Sequence, residues 1–105
     1  MRIGTWTVEY AAGADKNERR RSVLQQHDCD LWVLTETHDE LAPSAAYEPI
    51  HSAQRPTGRL GGRWASIWTR YPVLQRLDVV DPRRTVAALV QAPTGPLIVF
   101  GTVMP

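Results

Sequence analysis

Two glutamates stand out for what their spacing allows. Glu9 lies near the end of the alternating run Arg2–Tyr10, and Glu36 closes the apolar run Asp30–Glu36. In the first run Ile3, Thr5, Thr7 and Glu9 fall on one face, and Gly4, Trp6, Val8 and Tyr10 on the other. That period of two is a strand's. If the two runs lie parallel and adjacent, both carboxylates reach the same edge of a sheet. Two carboxylates ~4 Å apart repel by roughly 4 kcal/mol at an effective dielectric of about 20, so a cation between them is what would favour the arrangement. Mg²⁺ suits it, since it binds through one or two carboxylates, keeps several waters and takes phosphate oxygens for the rest. The same pattern also describes two glutamates that mark where strands leave the core for water. Spacing alone leaves both readings open.

The remaining chemistry-bearing residues point less far. His27 closes a helical stretch, where a cation suits the helix dipole. His38 follows Glu36 and reads either as a cleft residue or as a surface-loop histidine. His51 alternates within a strand run and has no visible acidic partner. No Gly-x-Ser-x-Gly elbow accompanies any of them. Gly58–Arg63 is glycine-rich but lacks the Lys-Ser/Thr of a phosphate loop. It reads as a hairpin connection, with Arg55, Arg59 or Arg63 the arginines placed to meet phosphate. Arg19-Arg20-Arg21 reads as a solvated helix face, with a phosphate-contacting patch as the alternative. Trp6, Trp32, Trp64 and Trp68 all lie in strand runs, which favours core packing over base stacking.

The elements that must position these residues follow a clear order. After the first strand, Asp15 has the place of an N-cap, with Glu18 in capping-box spacing, and a helix runs from Lys16 to His27. Its apolar stripe is only Val23 and Leu24, so it depends on packing against a sheet. Asp30–Glu36 completes a strand–helix–strand unit, which predicts parallel pairing of the two strands. The runs Tyr47–His51, Arg63–Arg70, Leu74–Val80, Thr85–Gln91 and Leu97–Val103 then succeed one another with turn signals and no helix between them. They predict an antiparallel meander. The fold class expected is α+β, with a mixed, mostly antiparallel sheet and one main helix.

Composition narrows the function classes. The chain has 105 residues, 43% of them hydrophobic and 22% charged, with a formal net charge of +1. That is one domain or part of one, and the charge argues neither for nor against nucleic acid. Cys29 is the single cysteine, which excludes an internal disulfide and a multi-thiolate zinc site. The N-terminus lacks a signal-peptide pattern, and no apolar run approaches the ~20 residues of a membrane span. A cytoplasmic protein is the expectation.

Gly4-Thr5-Trp6-Thr7-Val8-Glu9 resembles the opening strand motif of the endonuclease/exonuclease/phosphatase superfamily, and Trp32-Val33-Leu34-Thr35-Glu36-Thr37-His38 resembles its second motif. Ile67–Val73 is similar to that superfamily's apolar strand ending in Ser-Arg-Tyr-Pro, and Gly101–Pro105 stands where Thr-His-Leu-Pro is common. The resemblance implies an α/β sandwich and metal-dependent phosphoester hydrolysis. It implies Glu36 as the main ligand of Mg²⁺ or Mn²⁺, Glu9 as a second or water-mediated one, and Thr7 as a phosphate-side contact where the superfamily has Asn. Thr35 replaces the superfamily's Gln and Val103 its His. The superfamily's later Asp-x-Asn and terminal Asp-His motifs do not follow.

Residues 1–105 therefore read as about the first half of such a domain, inactive alone, with the apolar run Leu97–Pro105 ending abruptly. The implied substrates are nucleic acids or small phosphorylated molecules. The alternatives are a non-catalytic half that pairs its open sheet with a complementary C-terminal half or with itself, and a small nucleic-acid-binding module.

Overall fold

The computed structural model describes residues 1–9, 14–56, 58 and 60–103, with Ala14 described in its backbone only. Tyr10, Arg59 and the Met104-Pro105 end of the last motif lie outside the described residues, as does most of the turn expected at Ala11–Ala14. The elements are β1 (Ile3–Thr7), α1 (Ala14–His27), β2 (Leu31–His38), β3 (Glu48–His51), β4 (Gly62–Thr69), β5 (Val73–Leu77), β6 (Thr85–Ala92) and β7 (Gly95–Thr102). This is the α+β class expected.

Strand β2 is buried on both faces because its apolar run is continuous. Trp32 and Leu34 meet Leu24 of α1, together with Val8, Cys29, Leu41, Tyr47 and Trp68. On the other side Leu31 and Val33 pack with Ile50, Ala65 and Ile67 against Val86, Ala88, Val90 and Val99 of the second sheet. The layers are thus helix, sheet, sheet. β1 and β2 pair in parallel from Ile3–Leu31 to Thr7–Thr35, as the strand–helix–strand pattern requires.

The strands expected as one meander divide between two sheets, of order β1-β2-β4-β3 and β5-β6-β7. The reason lies in β4. Its side chains are buried or half-buried throughout, so it cannot take an edge and inserts between β2 and β3, antiparallel to both. β5 is largely exposed and takes an edge of the second sheet. Gly101 lets the sheets approach, since a Cβ there would stand 2.8 Å from Val33 Cγ1.

Helix α1 begins before Asp15, which therefore lies in the first turn rather than at the N-cap. Its carboxylate still suits the positive end of the helix. His27 occupies the last turn as expected, and Asp28 then ends the helix in the left-handed region (φ 48°) with its N–H on Leu24 O at 3.1 Å. Leu24 is wholly buried while Val23 stays 37% exposed. The arginine run is not uniformly solvated. Arg20 Nε donates to Val8 O at 3.2 Å, and Arg21 donates to Ala42 O at 2.9 Å and Glu40 O at 3.0 Å. Arg19 alone of the three is exposed.

Candidate metal and phosphate site

The parallel pairing of β1 with β2 places Glu9 and Glu36 at one sheet edge. Thr7 and Thr35 are register partners, and Val8 N–H donates to Thr35 O at 3.0 Å, carrying the pairing one step further. Glu9 then lies in a turn beyond β1, while Glu36 lies within β2, and both have left-handed backbone. Glu9 has φ 55° and Glu36 φ 50°. Left-handed backbone costs a non-glycine residue about 1–2 kcal/mol, and glutamate has no short side chain to offset it locally. Strain of this kind at two neighbouring positions just past the paired β1–β2 ladder points to a use for the side chains. Glu9 is exposed and Glu36 half-buried.

Thr7 and Thr35, the two positions that depart from the superfamily's Asn and Gln, bond each other. Their hydroxyl oxygens are 2.8 Å apart across the strands. The hydroxyl proton lies in the sheet between them, so Thr7 serves strand pairing before it serves any ligand.

Two histidines have partners that the sequence did not suggest. His38 is no surface-loop residue: it ends β2, is buried, and its Nε2 lies 2.6 Å from Leu60 O while Nδ1 accepts from Glu40 N–H at 3.1 Å. Gly61 makes room for it, with φ +91° and a Cβ position 2.7 Å from the imidazole. His51 does have an acidic partner. Its Nε2 stands 3.6 Å from Asp39 Oδ1, and its Nδ1 lies 2.6 Å from Ser66 Oγ. Serine, histidine and aspartate stand in line here, yet the arrangement is structural. Ser66 is wholly buried in mid-strand, and both imidazole nitrogens face partners within the protein.

Burial holds the His51 imidazolium below its ordinary pKa of 6.5, against the opposing pull of Asp39. Partial burial pushes the Asp39 carboxyl up, but the hydrogen bond and charge of Arg63, with His51 beside it, leave it below 3.8. Arg63 grips Asp39 through Nε at 2.8 Å and Nη2 at 3.1 Å, a two-point pairing that commits it to structure. Arg55 lies over the Trp64 ring at 4.9 Å. Arg70, from the Tyr-Pro motif, bonds Asp28 and Asp30 and lies over Tyr47 at 4.9 Å. It works where β2 begins, at the opposite end of the sheet from Glu36.

Sequence comparison matches the chain to no family model and to no curated protein. Solved structures do match it. Over 98% of its length it resembles an endonuclease/exonuclease/phosphatase protein from Beutenbergia cavernae, with TM-score 0.76 and 19% identity, and covers 38% of that chain. Over 99% it resembles the endonuclease domain of TRAS1, a telomere-specific non-LTR retrotransposon, with TM-score 0.70 and 8% identity, covering 46% of that chain. The fold is that of the endonuclease/exonuclease/phosphatase proteins. The chain spans less than half the length of either neighbour.

Among the described residues no group of three or more His, Cys, Asp and Glu side chains gathers for a metal ion. The donors available at the strained edge are the two glutamates. Two carboxylates with open positions fit a hard, oxygen-seeking ion such as Mg²⁺ or Mn²⁺, and they do not fit zinc, which takes three or four protein ligands. No helix among the described residues is long and apolar enough to cross a membrane.

Proposed function

We propose that this chain is the metal-binding first half of a phosphoester hydrolase, in which Glu36 is the main ligand of Mg²⁺ or Mn²⁺ and Glu9 a second or water-mediated one. The observation that supports the reading is the pair of left-handed glutamates just past the last paired residues of the parallel β1–β2 ladder. When bound, such a metal polarises phosphoryl oxygens and stabilises the leaving group. The chain's own contribution is to hold the two carboxylates at a rigid sheet edge. Thr7 and Thr35 lock β1 to β2 behind them, and Arg20 ties Val8 O to the helix. Among the described residues no histidine stands ready for the proton chemistry that must accompany phosphoester cleavage. His38 and His51 are both engaged internally, so the chain alone is expected to bind metal without turnover. A cytoplasmic setting belongs to the same proposal.

Electron paramagnetic resonance titration with Mn²⁺ tests the reading. The protein is expected to bind Mn²⁺, and Glu36→Gln to weaken binding at least tenfold with an unchanged circular dichroism spectrum. Equal binding by the wild type and the variant would remove Glu36 from the site. Turnover of a phosphodiester by the chain alone, abolished by Glu36→Gln, would overturn the predicted inactivity.

A second reading is favoured by the outer face of the β5-β6-β7 sheet. Ile98 and Phe100 are 66% and 61% exposed there, and exposed apolar side chains of this kind mark surfaces that another chain can cover. It casts the chain as a non-catalytic module whose sheet is covered by another chain.

A further inference from the structure

We infer that a second copy of this chain docks on the side where β1 and β7 are open, its β7 lying beside β1 and its Ile98 and Phe100 over the cavity between β1 and α1. Both sheets have a free edge on that side. β7 lies against β2 and β4, and β6 against β4 and β3. With the strand orders β1-β2-β4-β3 and β5-β6-β7, the free edges of β1 and β7 therefore share one side, and β1 stands a strand further out.

The four sheet edges are not alike. An edge offers unpaired N–H and C=O groups to any other strand, and proteins blunt it with charge, proline, bulges or short strands. The opposite side is blunted in both sheets. β3 has four residues, among them Glu48 and Pro49, and β5 carries Arg76 and breaks register between Val73 and Gln75. β1 and β7 hold no charged residue. β7 keeps an unbroken register with β6 from Gly95 to Thr102, and its one proline, Pro96, leaves Leu97–Thr102 free to pair.

The two free edges also carry matching shapes. Beside β1, on its α1 face, is a cavity of about 340 Å³ walled by Gly4, Trp6, Val23, Cys29 and Trp32 among others. Gly4 lets the Trp32 ring lie against β1, since a Cβ there would stand 2.5 Å from it. Val23 is the residue of the helix stripe that stays partly in water. β7 supplies the projection: Ile98 and Phe100 are large, exposed and turned away from the first sheet. A twofold axis parallel to the strands, midway between the sheets, exchanges the two sheet levels. It sets β7 of the second copy beside β1 and turns that copy's outer face to the α1 side. Ile98 and Phe100 of the second copy then meet the cavity, and symmetry repeats the contact with the roles exchanged. The strand by which β1 projects past β7 fills the recess of the other copy. Main-chain bonds of an added strand give affinity, and side chains in pockets give the fit. The contact rests on the pairing reading, whose partner and surface it names, and does not need the metal.

Sedimentation equilibrium of the whole chain tests this with two variants placed on the two halves of the contact. Val23→Lys on the cavity and Phe100→Glu on β7 are each expected to weaken self-association at least tenfold, with an unchanged circular dichroism spectrum. Arg19→Gln, on the exposed side of α1, should leave it unchanged. An equimolar mixture of the two variants is expected to associate at least fivefold more tightly than either alone. In the mixed pair one contact is wild type on both sides, and the other sets the new lysine against the new glutamate. If Val23→Lys fails to fold, Thr5→Lys at an exposed position of β1 takes its place. A wild-type monomer across a hundredfold concentration range overturns the inference. So does loss with Phe100→Glu but not with Val23→Lys, which means that the outer faces of two second sheets stack directly and leaves the pairing reading standing. A mixture no tighter than its components overturns it as well. Mn²⁺ binding at Glu36 is read separately, so either result can fail without the other.

Discussion

At the scale of single residues, Glu36 joins two demands that pull apart. Its side chain is wanted at the sheet edge, and its backbone is held where glycine would be more at ease. In an ordinary strand, alanine is more stable than glycine by about 0.5–1 kcal/mol. At Glu36 the order should reverse, with Glu36→Gly more stable than Glu36→Ala by about 1 kcal/mol, because alanine keeps the left-handed strain. Urea unfolding of the two variants measures this, and the ordinary order would show that the strain is not there. His51 gives a second prediction. Its folded pKa is depressed by burial, so the unfolded chain takes up the proton first. Its contribution is complete above the ordinary value of about 6.5 and is lost as pH falls below it. Thermal unfolding from pH 8 to pH 5 should show a falling Tm, and His51→Gln should reduce the fall between pH 6.5 and pH 5. An unchanged pH profile would mean that burial of His51 is not what the pH moves.

At the scale of elements, the two sheets are joined at a point where no side chain fits. β7 turns Val99 and Gly101 inward while Ile98 and Phe100 face out. The Gly101 Cα hydrogens take up the close approach to Val33, with Val86 Cγ1 at 3.6 Å and Ile67 Cγ1 at 3.9 Å from the position a Cβ would occupy. Gly101→Val should therefore overpack the interface and cost about 1–3 kcal/mol. Chemical denaturation checks this, and a cost below ~0.5 kcal/mol would mean that the sheets part freely. Helix α1 is held differently. It has one wholly buried leucine, and the donors of Arg20, Arg21 and Gln25 hook backbone carbonyls of Val8 and of the 40–43 segment. Its polar residues thus do part of the docking that an apolar stripe performs elsewhere.

At the scale of the whole molecule, the two faces of the layered structure are unequal. The β1-β2-β4-β3 sheet is covered by α1 on one side and by the second sheet on the other. The second sheet has cover on its inner side only, and its outer row of Ile98 and Phe100 meets water. At about 25 cal/mol per Å² of apolar surface removed from water, covering such a face is favourable for any chain that fits it. Sedimentation across a hundredfold concentration range should show self-association, reduced by Ile98→Lys with Phe100→Lys. A monomer at all concentrations would count against the non-catalytic pairing reading and leave the hydrolase reading alone.

What the sequence determined by itself is what local pattern can encode. The period of two placed β1, the double-sided apolar run placed β2, and turn residues separated β3 to β7, each within a few residues of its observed bounds. The strand–helix–strand order carried the parallel pairing with it, and so the shared edge of Glu9 and Glu36. What the tertiary structure decided were matters that depend on which distant segments meet. The split into two sheets followed from β4 being buried on both faces. Asp39, Ser66 and Leu60 became the partners of His51 and His38 only because β2, β3 and β4 lie side by side in that register. The left-handed backbone at the two glutamates was hidden as well: glutamate has no sequence signature for that conformation, which the surrounding sheet imposes.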